Sequence, residues 1–273
     1  MDKREISEIL LEIYRSCPDN RVEDMPEVRI FDEPIMGIAA ADDPIFKTYK
    51  SPEIIGPWHM LPSQWLHGAR SVVSFFFPFS EDLRKSNRPG GQDISYQWVY
   101  GRVEGQGLIN RIIARLAKTL GDSGIACTLP AEDGRFRSVT GGRGGLLHES
   151  AGEDTFSSNW SERHAAYACG LGTFGLSKGL ITEKGMAGRF ASIIVDAELE
   201  ITERPYTQVY EYCSRCGACV RRCPVNAISL ENGKSHVICN QWIQETMRRY
   251  APRYGCGKCQ TAVPCEFGKP KKD

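Results

Sequence analysis

The sequence has no charge excess, no long apolar run and no basic leader, and each absence removes a class of protein. Its 34 Lys plus Arg balance its 34 Asp plus Glu, so the basic surplus expected of a general nucleic-acid binder is missing. The longest apolar run, Val72 to Phe79, falls far short of the ~20 residues a helix needs to cross a bilayer. The N-terminal stretch MDKREISEILLEIYRSC is charged and amphipathic, unlike a secretory leader with its apolar centre. The cytoplasm is therefore the expected compartment, with no membrane partner. No internal repeat, low-complexity tract or heptad pattern occurs. At 273 residues and 41% hydrophobic, the chain has enough apolar content for a sizeable core, which excludes disorder.

What the sequence does have is cysteine. Eleven are present, and eight of them fall between Cys213 and Cys265. In a reducing compartment, closely spaced thiols point to metal rather than to a disulfide framework. Cys213-x2-Cys216-x2-Cys219-x3-Cys223-Pro224 is the bacterial ferredoxin run, whose first three thiolates hold one cubane while the fourth reaches a neighbouring cluster. A tight turn, for which Gly217 is suited, aims three sulfurs at one face. Zinc prefers its ligands as two pairs, a poorer match to four close cysteines ending in proline. Cys239, Cys256, Cys259 and Cys265 raise the total to eight thiolates, the number that two [4Fe–4S] clusters need. Cys17, Cys127 and Cys169 are left over and read as ordinary buried thiols.

Periodicity gives a mixed architecture. Ile6, Ile9, Leu10, Ile13 and Tyr14 form the stripe of an amphipathic helix over 4–16. Residues 21–70, rich in proline and aromatics, are expected to be irregular coil laid over a core. A buried strand is expected over 71–79, a helix over 107–120 ending at Gly121, a short strand over 125–129, a helix over 159–169 and a strand over 189–195. Together these predict an α+β domain over 1–205, followed by a ferredoxin-like domain over 206–273. The stretch 203–273 carries a net charge of +6 and the remainder −6. Cations around a negatively charged cluster stabilise it and raise its potential, although a solvated basic surface accounts for the same asymmetry.

Gly170-Leu-Gly172-Thr-Phe-Gly175 satisfies GxGxxG, and Asp196 lies about where a dinucleotide site places its carboxylate. That fingerprint must follow a strand, whereas 161–168 reads as a helix closed by Gly170. A nicotinamide site is therefore not expected.

Several segments together make the chain resemble the epoxyqueuosine reductase family and, more distantly, the reductive dehalogenases, which are corrinoid iron–sulfur enzymes. These are Ala69-Arg70-Ser71-Val72-Val73, Tyr100-Gly101-Arg102 ahead of the long helix, the Glu162 helix running into Gly170-Leu171-Gly172 and Gly175, Arg189 to Asp196, and the eight cysteines in order, including isolated Cys239. The resemblance implies that Cys213, Cys216, Cys219 and Cys265 hold one cluster and Cys223, Cys239, Cys256 and Cys259 the other. It implies a nitroreductase-like α/β domain cupping cobalamin beside the first cluster, with Arg102, Gly172 and Gly175 as cofactor-binding residues. Electrons would enter from a ferredoxin- or flavodoxin-type donor through the Cys223 cluster and leave through the Cys213 cluster.

Three departures qualify it. The family's proton-donating Asp falls on Phe156, which has no proton to give. The last cysteine group has x5 and a preceding Pro264 where the family has x3 and a following Pro, so the loop to Cys265 must be rebuilt. The family's helical-repeat extension has no counterpart in these residues, and with zero net charge tRNA is not an expected substrate. Substitute donors are Asp154, Glu153, His148 and Glu149 in the polar stretch before Phe156, and Tyr167, whose helical position beside alanines equally suits packing. Gly141 to Gly145 with Arg143 offers an anion cradle, and His164 and His236 read as structural. Two functions remain: a cobalamin-dependent reductase of a small molecule, or an electron-transfer protein without corrinoid that serves a protein partner.

Overall fold

The computed structural model describes residues 1–140 and 156–271; the expected anion cradle and donors at 141–154 lie outside them. The first helix, α1 (Lys3–Arg15), starts at a capping box between Asp2 and Glu5 and buries Ile6, Leu10, Ile13 and Tyr14. The chain then forms β1 (Arg21–Val22), β2 (Met25–Arg29) and β3 (Ile35–Ala40), the short helices α2 (Pro44–Thr48) and α3 (Pro62–Trp65), and β4 (Ser71–Pro78). The expected coil over 21–70 is thus corrected, because β3 pairs along β4 from Ile35 opposite Phe76 to Ala40 opposite Ser71. Its short apolar alternation, broken by Gly37 and preceded by Pro34, hid it in the sequence.

After β4 come α4 (Glu81–Ser86), α5 (Tyr96–Asp122), β5 (Cys127–Thr128), β6 (Ser138–Thr140) and β7 (Phe156–Ser158), then α6 (Glu162–Ala168), β8 (Gly172–Phe174), β9 (Leu180–Thr182) and β10 (Gly188–Val195). Strands β3, β4, β10 and β5 make the central sheet in that order, and all its pairings are antiparallel. Both faces of β4 are covered. Val73, Phe75 and Phe77 point into a core with α1 and α5, while Val72 packs with Trp65, Trp160 and Ala165. That double burial explains an apolar run without polar alternation.

Helix α5 is 27 residues long and begins well before the expected start at 107, so Tyr100-Gly101-Arg102 lies within it rather than ahead of it. The glycines that read as breaks are packing solutions. A Cβ on Gly101 would meet Leu83 Cδ2 at 2.7 Å, and one on Gly105 would meet Phe31 Cζ at 2.9 Å. Helix α6 is closed by Gly170 at φ +81°, and the chain turns straight into the β8–β9 hairpin. The glycine-rich motif therefore follows a helix and opens a strand, the reverse of the dinucleotide order.

The last segment carries α7 (Ala218–Arg222), β11 (Ile228–Ser229), β12 (Gly233–Lys234), α8 (His236–Tyr250) and a 3-10 turn at Lys258–Gln260. It is tied to the end of α4 by Asn87, whose Nδ2 donates to Cys256 O and whose carbonyl accepts from Lys258 Nζ, Arg222 Nη2 and Thr261 Oγ1. Among the described residues no helix is long and apolar enough to cross a membrane.

Candidate iron–sulfur and substrate site

The eight clustered cysteines separate into two groups of four, each around its own cavity. Cys213, Cys216, Cys219 and Cys265 line one. Cys223, Cys239, Cys256 and Cys259 line another of about 200 Å³. Local backbone explains the first group: Gly217, at φ +70°, caps α7 and turns Cys216 and Cys219 to the same side. Around the second, Gly255 (φ +137°) and Gly257 (φ +68°) flank Cys256, and α5 closes directly on them. A Cβ on Gly255 would meet Arg102 Cδ at 2.1 Å, and one on Gly257 would meet Trp98 Cε2 at 2.0 Å. Only glycine allows both the positive φ and the approach.

Burial pushes the Cys259 and Cys265 thiols up to about 12. At neutral pH they stay protonated until a metal displaces the proton and binds the thiolate. Among the described residues no three His, Cys, Asp or Glu side chains converge as ligands of one metal ion; the Cys223 group surrounds about 200 Å³ and the Cys213 group about 20 Å³. The second cavity also holds a buried donor without a partner among the described residues, Arg102 Nε, and Trp242 Nε1 is turned toward the Cys256 sulfur. Cys223 Sγ accepts a hydrogen bond from Ala227 N at 3.1 Å. Donors turned toward four sulfurs fit a group with acceptor sulfides.

A third cavity, of about 500 Å³, lies over the sheet between the start of α6, β10 and α5. Amide and hydroxyl groups of Gln106, Asn110, Ser158, Ser161 and Gln260 line it, together with Glu162, Arg163 and Arg189. Its size is that of an organic ligand or cofactor site. It shares Arg163, Gly188, Arg189 and Gln260 with the Cys223 cavity. It shares no lining residue with the Cys213 cavity, and Met186, whose Sδ is 3.2 Å from Cys265 Sγ, stands between them.

Sequence reasoning did not single out the charged groups of this cavity as site residues. Glu162 is the first residue of α6. Both its carboxyl oxygens are buried without a formed hydrogen bond, and burial pushes it up to about 7, opposed by the nearby Ser192 hydroxyl. Ser192 Oγ accepts from Trp160 Nε1 at 2.9 Å. Arg189 gives two hydrogen bonds to Gln106 Oε1, and desolvation lowers it to about 9, so it stays cationic at neutral pH. Periodicity alone marks Arg189 as a strand residue and Glu162 as a helix start, and no motif links them.

Of the residues expected to bind a cofactor, Arg102 stacks on Tyr254 and faces the Cys223 cavity rather than the 500 Å³ one. Gly175 lines the Cys213 cavity, and Gly172 packs against Ile181 in the hairpin. Tyr167 lies against Phe174 and Tyr206 and lines none of these three cavities. His164 packs on Tyr49 and meets Ser161 Oγ through Nδ1. His236 packs edge-on against Phe156. Cys169 is buried, but Cys17 and Cys127 are only half-buried.

Glu162 has a measurable consequence. Its folded value of about 7 lies above the ordinary 4.5, so between those limits the native state holds a proton that the unfolded chain releases. Stability is then full below pH 4.5 and declines as pH rises through 7, by about 3 kcal/mol. Glu162→Gln is expected to unfold like the parent at pH 4.5 and to be more stable at pH 8. Equal stability at both pH values would show that the carboxyl is solvated.

Residues 206–229 match the family described as a 4Fe-4S binding domain. A search of curated proteins returns no match. Among solved structures, the fold is shared with epoxyqueuosine reductases and reductive dehalogenases. One is an epoxyqueuosine reductase with an epoxyqueuosine-modified tRNA-Tyr stem loop, similar at 17% identity and TM-score 0.54 over 98% of this chain and 66% of that one. The enzyme from Streptococcus thermophilus is similar at 14% identity and TM-score 0.54, over 99% and 68%. A catabolic reductive dehalogenase is similar at 16% identity and TM-score 0.51, over 86% of this chain and 30% of its own. The chain thus spans about two thirds of the reductases' length and under a third of the dehalogenase's.

Proposed function

We propose that the protein is an iron–sulfur reductase of a small organic molecule, with a [4Fe–4S] cluster in each cysteine-lined cavity and the reaction in the 500 Å³ cavity. The observation that carries this reading is the shared wall: Arg163, Gly188, Arg189 and Gln260 line both the Cys223 cavity and the large one. An electron carrier needs no organic-sized cavity against its cluster. A small molecule suits the enclosure, and zero net charge argues against tRNA. The domain division at 205 and a nitroreductase-like first domain belong to the same proposal, as does a cytoplasmic location.

A corrinoid fits the large cavity in chemistry. Neutral amides and hydroxyls on its wall are suitable partners for the amide arms of a corrin ring; Gln260, Ser158 and Ser161 would hold them, while Gln106 and Asn110 are bonded to Arg189, to each other and to Glu132. Bound there, it would supply a reducible cobalt. The chain supplies a polar-lined pocket, two guanidinium groups that orient a ligand, and a carboxyl that holds its proton near neutrality. Electrons would come from a ferredoxin- or flavodoxin-type protein. Val209, Tyr210 and Leu230 are exposed near Arg215, which lines the Cys213 cavity and donates to Leu230 O; apolar area with basic residues suits an acidic donor.

Phe156 favours a second reading, an electron-transfer protein without corrinoid, since it occupies the expected acid's place. Anaerobic titration of the iron–sulfur-reconstituted protein with cob(II)alamin, followed by EPR, separates the two. A saturable base-on to base-off shift is expected. No shift, with two reducible clusters intact, would leave the electron-transfer reading.

A further inference from the structure

Four basic side chains meet beside Phe156. His236, the first residue of α8, lies edge-on to the Phe156 ring with centroids 5.6 Å apart. Burial, and then the charges of Lys178, Lys234 and Arg163, hold His236 down at about 4. Lys178, in the turn between β8 and β9, is itself lowered by burial and by Lys234. The four groups are thus neighbours, brought together from α6, the hairpin turn, β12 and α8. None of their side chains forms an ion pair or a hydrogen bond among the described residues. Glu231 lines a recess with Lys178 and Gly233 and pairs with none of them. Arg163 and Lys178 are exposed, and Lys234 and His236 are half-buried, so a ligand can reach all four.

Resting on the reductase reading, we infer that these four side chains form an oxyanion subsite at the edge of the 500 Å³ cavity, and that the substrate carries a carboxylate or phosphate which they hold. Arg163 fixes the position, because it lines that cavity. Strand β7 agrees: Phe156 and Ser158 point to the same side of it, and Ser158 lines the cavity too. Three permanent cations side by side repel one another, and a bound anion removes that repulsion. The guanidinium and the two ammonium groups give it charge-assisted hydrogen bonds, and neutral His236 adds one ring N–H.

Phe156 is what leaves these charges unanswered. A carboxylate at this position, where the family resemblance places an Asp, would lie against His236 and neutralise the group; a phenyl ring does not. The Cys223-group cluster does not account for the set either. Arg163 and Lys234 line its cavity, but Lys178 and His236 do not.

The test is isothermal titration calorimetry of the full-length, iron–sulfur-reconstituted protein with inorganic phosphate and with benzoate. Each is expected to bind at one saturable site and to compete with the other. Arg163→Gln and Lys178→Gln should each weaken binding about tenfold. Lys47→Gln, at an exposed lysine on α2, should leave it unchanged. Phe156→Asp should abolish binding, whereas Phe156→Asn, which removes the ring without adding charge, should retain it. Preloading with cob(II)alamin should leave the site open to both probes. If cobalamin closes it and cobinamide, which lacks the phosphate of the nucleotide loop, does not, the oxyanion belongs to the corrinoid and the substrate assignment is overturned. No binding by the parent, or equal binding in Phe156→Asp and Phe156→Asn, would overturn the subsite, while a base-off cobalt signal would leave the reductase reading standing. If the parent takes up no iron, that reading falls, and the inference with it.

Discussion

Cys216→Ser is expected to lose one of the two clusters completely and leave the rest of the protein folded. Iron content should fall from about eight atoms per chain to about four, and one reduced-state EPR signal should vanish. The far-ultraviolet circular dichroism of the central sheet should change little. Cys216 is the exposed member of its group, so serine at this position leaves no buried void. The main core of α1, α5 and the sheet contains no residue beyond Leu199 among its fully buried members. Cys259→Ser is the contrasting case. Burial holds that thiol up at about 12 without metal, so its substitution should remove the other cluster and also loosen the contact of the 3-10 turn with α5. If both variants kept full iron and both signals, the division of the eight cysteines into two groups would be wrong.

The parts of this molecule that a sequence shows are those set by local pattern. The stripe of α1, the β4 and β10 strands and the helix closed by Gly170 follow from apolar spacing and one glycine. The ferredoxin run is legible for the same reason, since its chemistry lies in consecutive residues. What was not legible depends on distant contacts. Strand β3 is a strand because β4 needs an edge partner. The N-terminal half of α5 is helical because Gly101 and Gly105 let Leu83 and Phe31 approach, although glycine in isolation disfavours helix. Arg102, Arg163 and Arg189 sit on α5, α6 and β10, and nothing in their local sequence brings them to Cys223, Cys239 and Cys259. The family pattern showed where the cysteines should go; the cations around them are visible only in three dimensions.

The rebuilt loop to Cys265 gives the second large effect. The sequence showed only that five residues replace three and that Pro264 comes before the cysteine; the structure shows Glu266 anchoring the loop. Its side chain is 2% exposed and pairs with Arg88 at 2.8 Å and Arg84 at 3.5 Å. Its other oxygen accepts from Ala262 N at 2.6 Å, inside the loop. The backbone there is stitched to the link between β9 and β10, with Met186 N donating to Cys265 O and Ala187 N to Glu266 O. Removing one partner of a buried ion pair typically costs about 3–5 kcal/mol, because the remaining charges stay buried without compensation. Glu266→Ala leaves one loop amide without its acceptor and two guanidinium groups without their counter-charge, but Arg84 keeps its bond to Phe79 O and Arg88 is 34% exposed, so a loss toward the lower end of that range is expected in thermal or denaturant unfolding. The variant should also bind the Cys213-group cluster poorly, since Cys265 precedes the anchor directly, and retain the Cys223-group signal. Glu266→Gln keeps the acceptor for Ala262 N but not the charge, and should fall between the two in stability while holding both clusters. A Glu266→Ala protein with both EPR signals and parental stability would show that the loop is held by its contacts with the β9–β10 link alone.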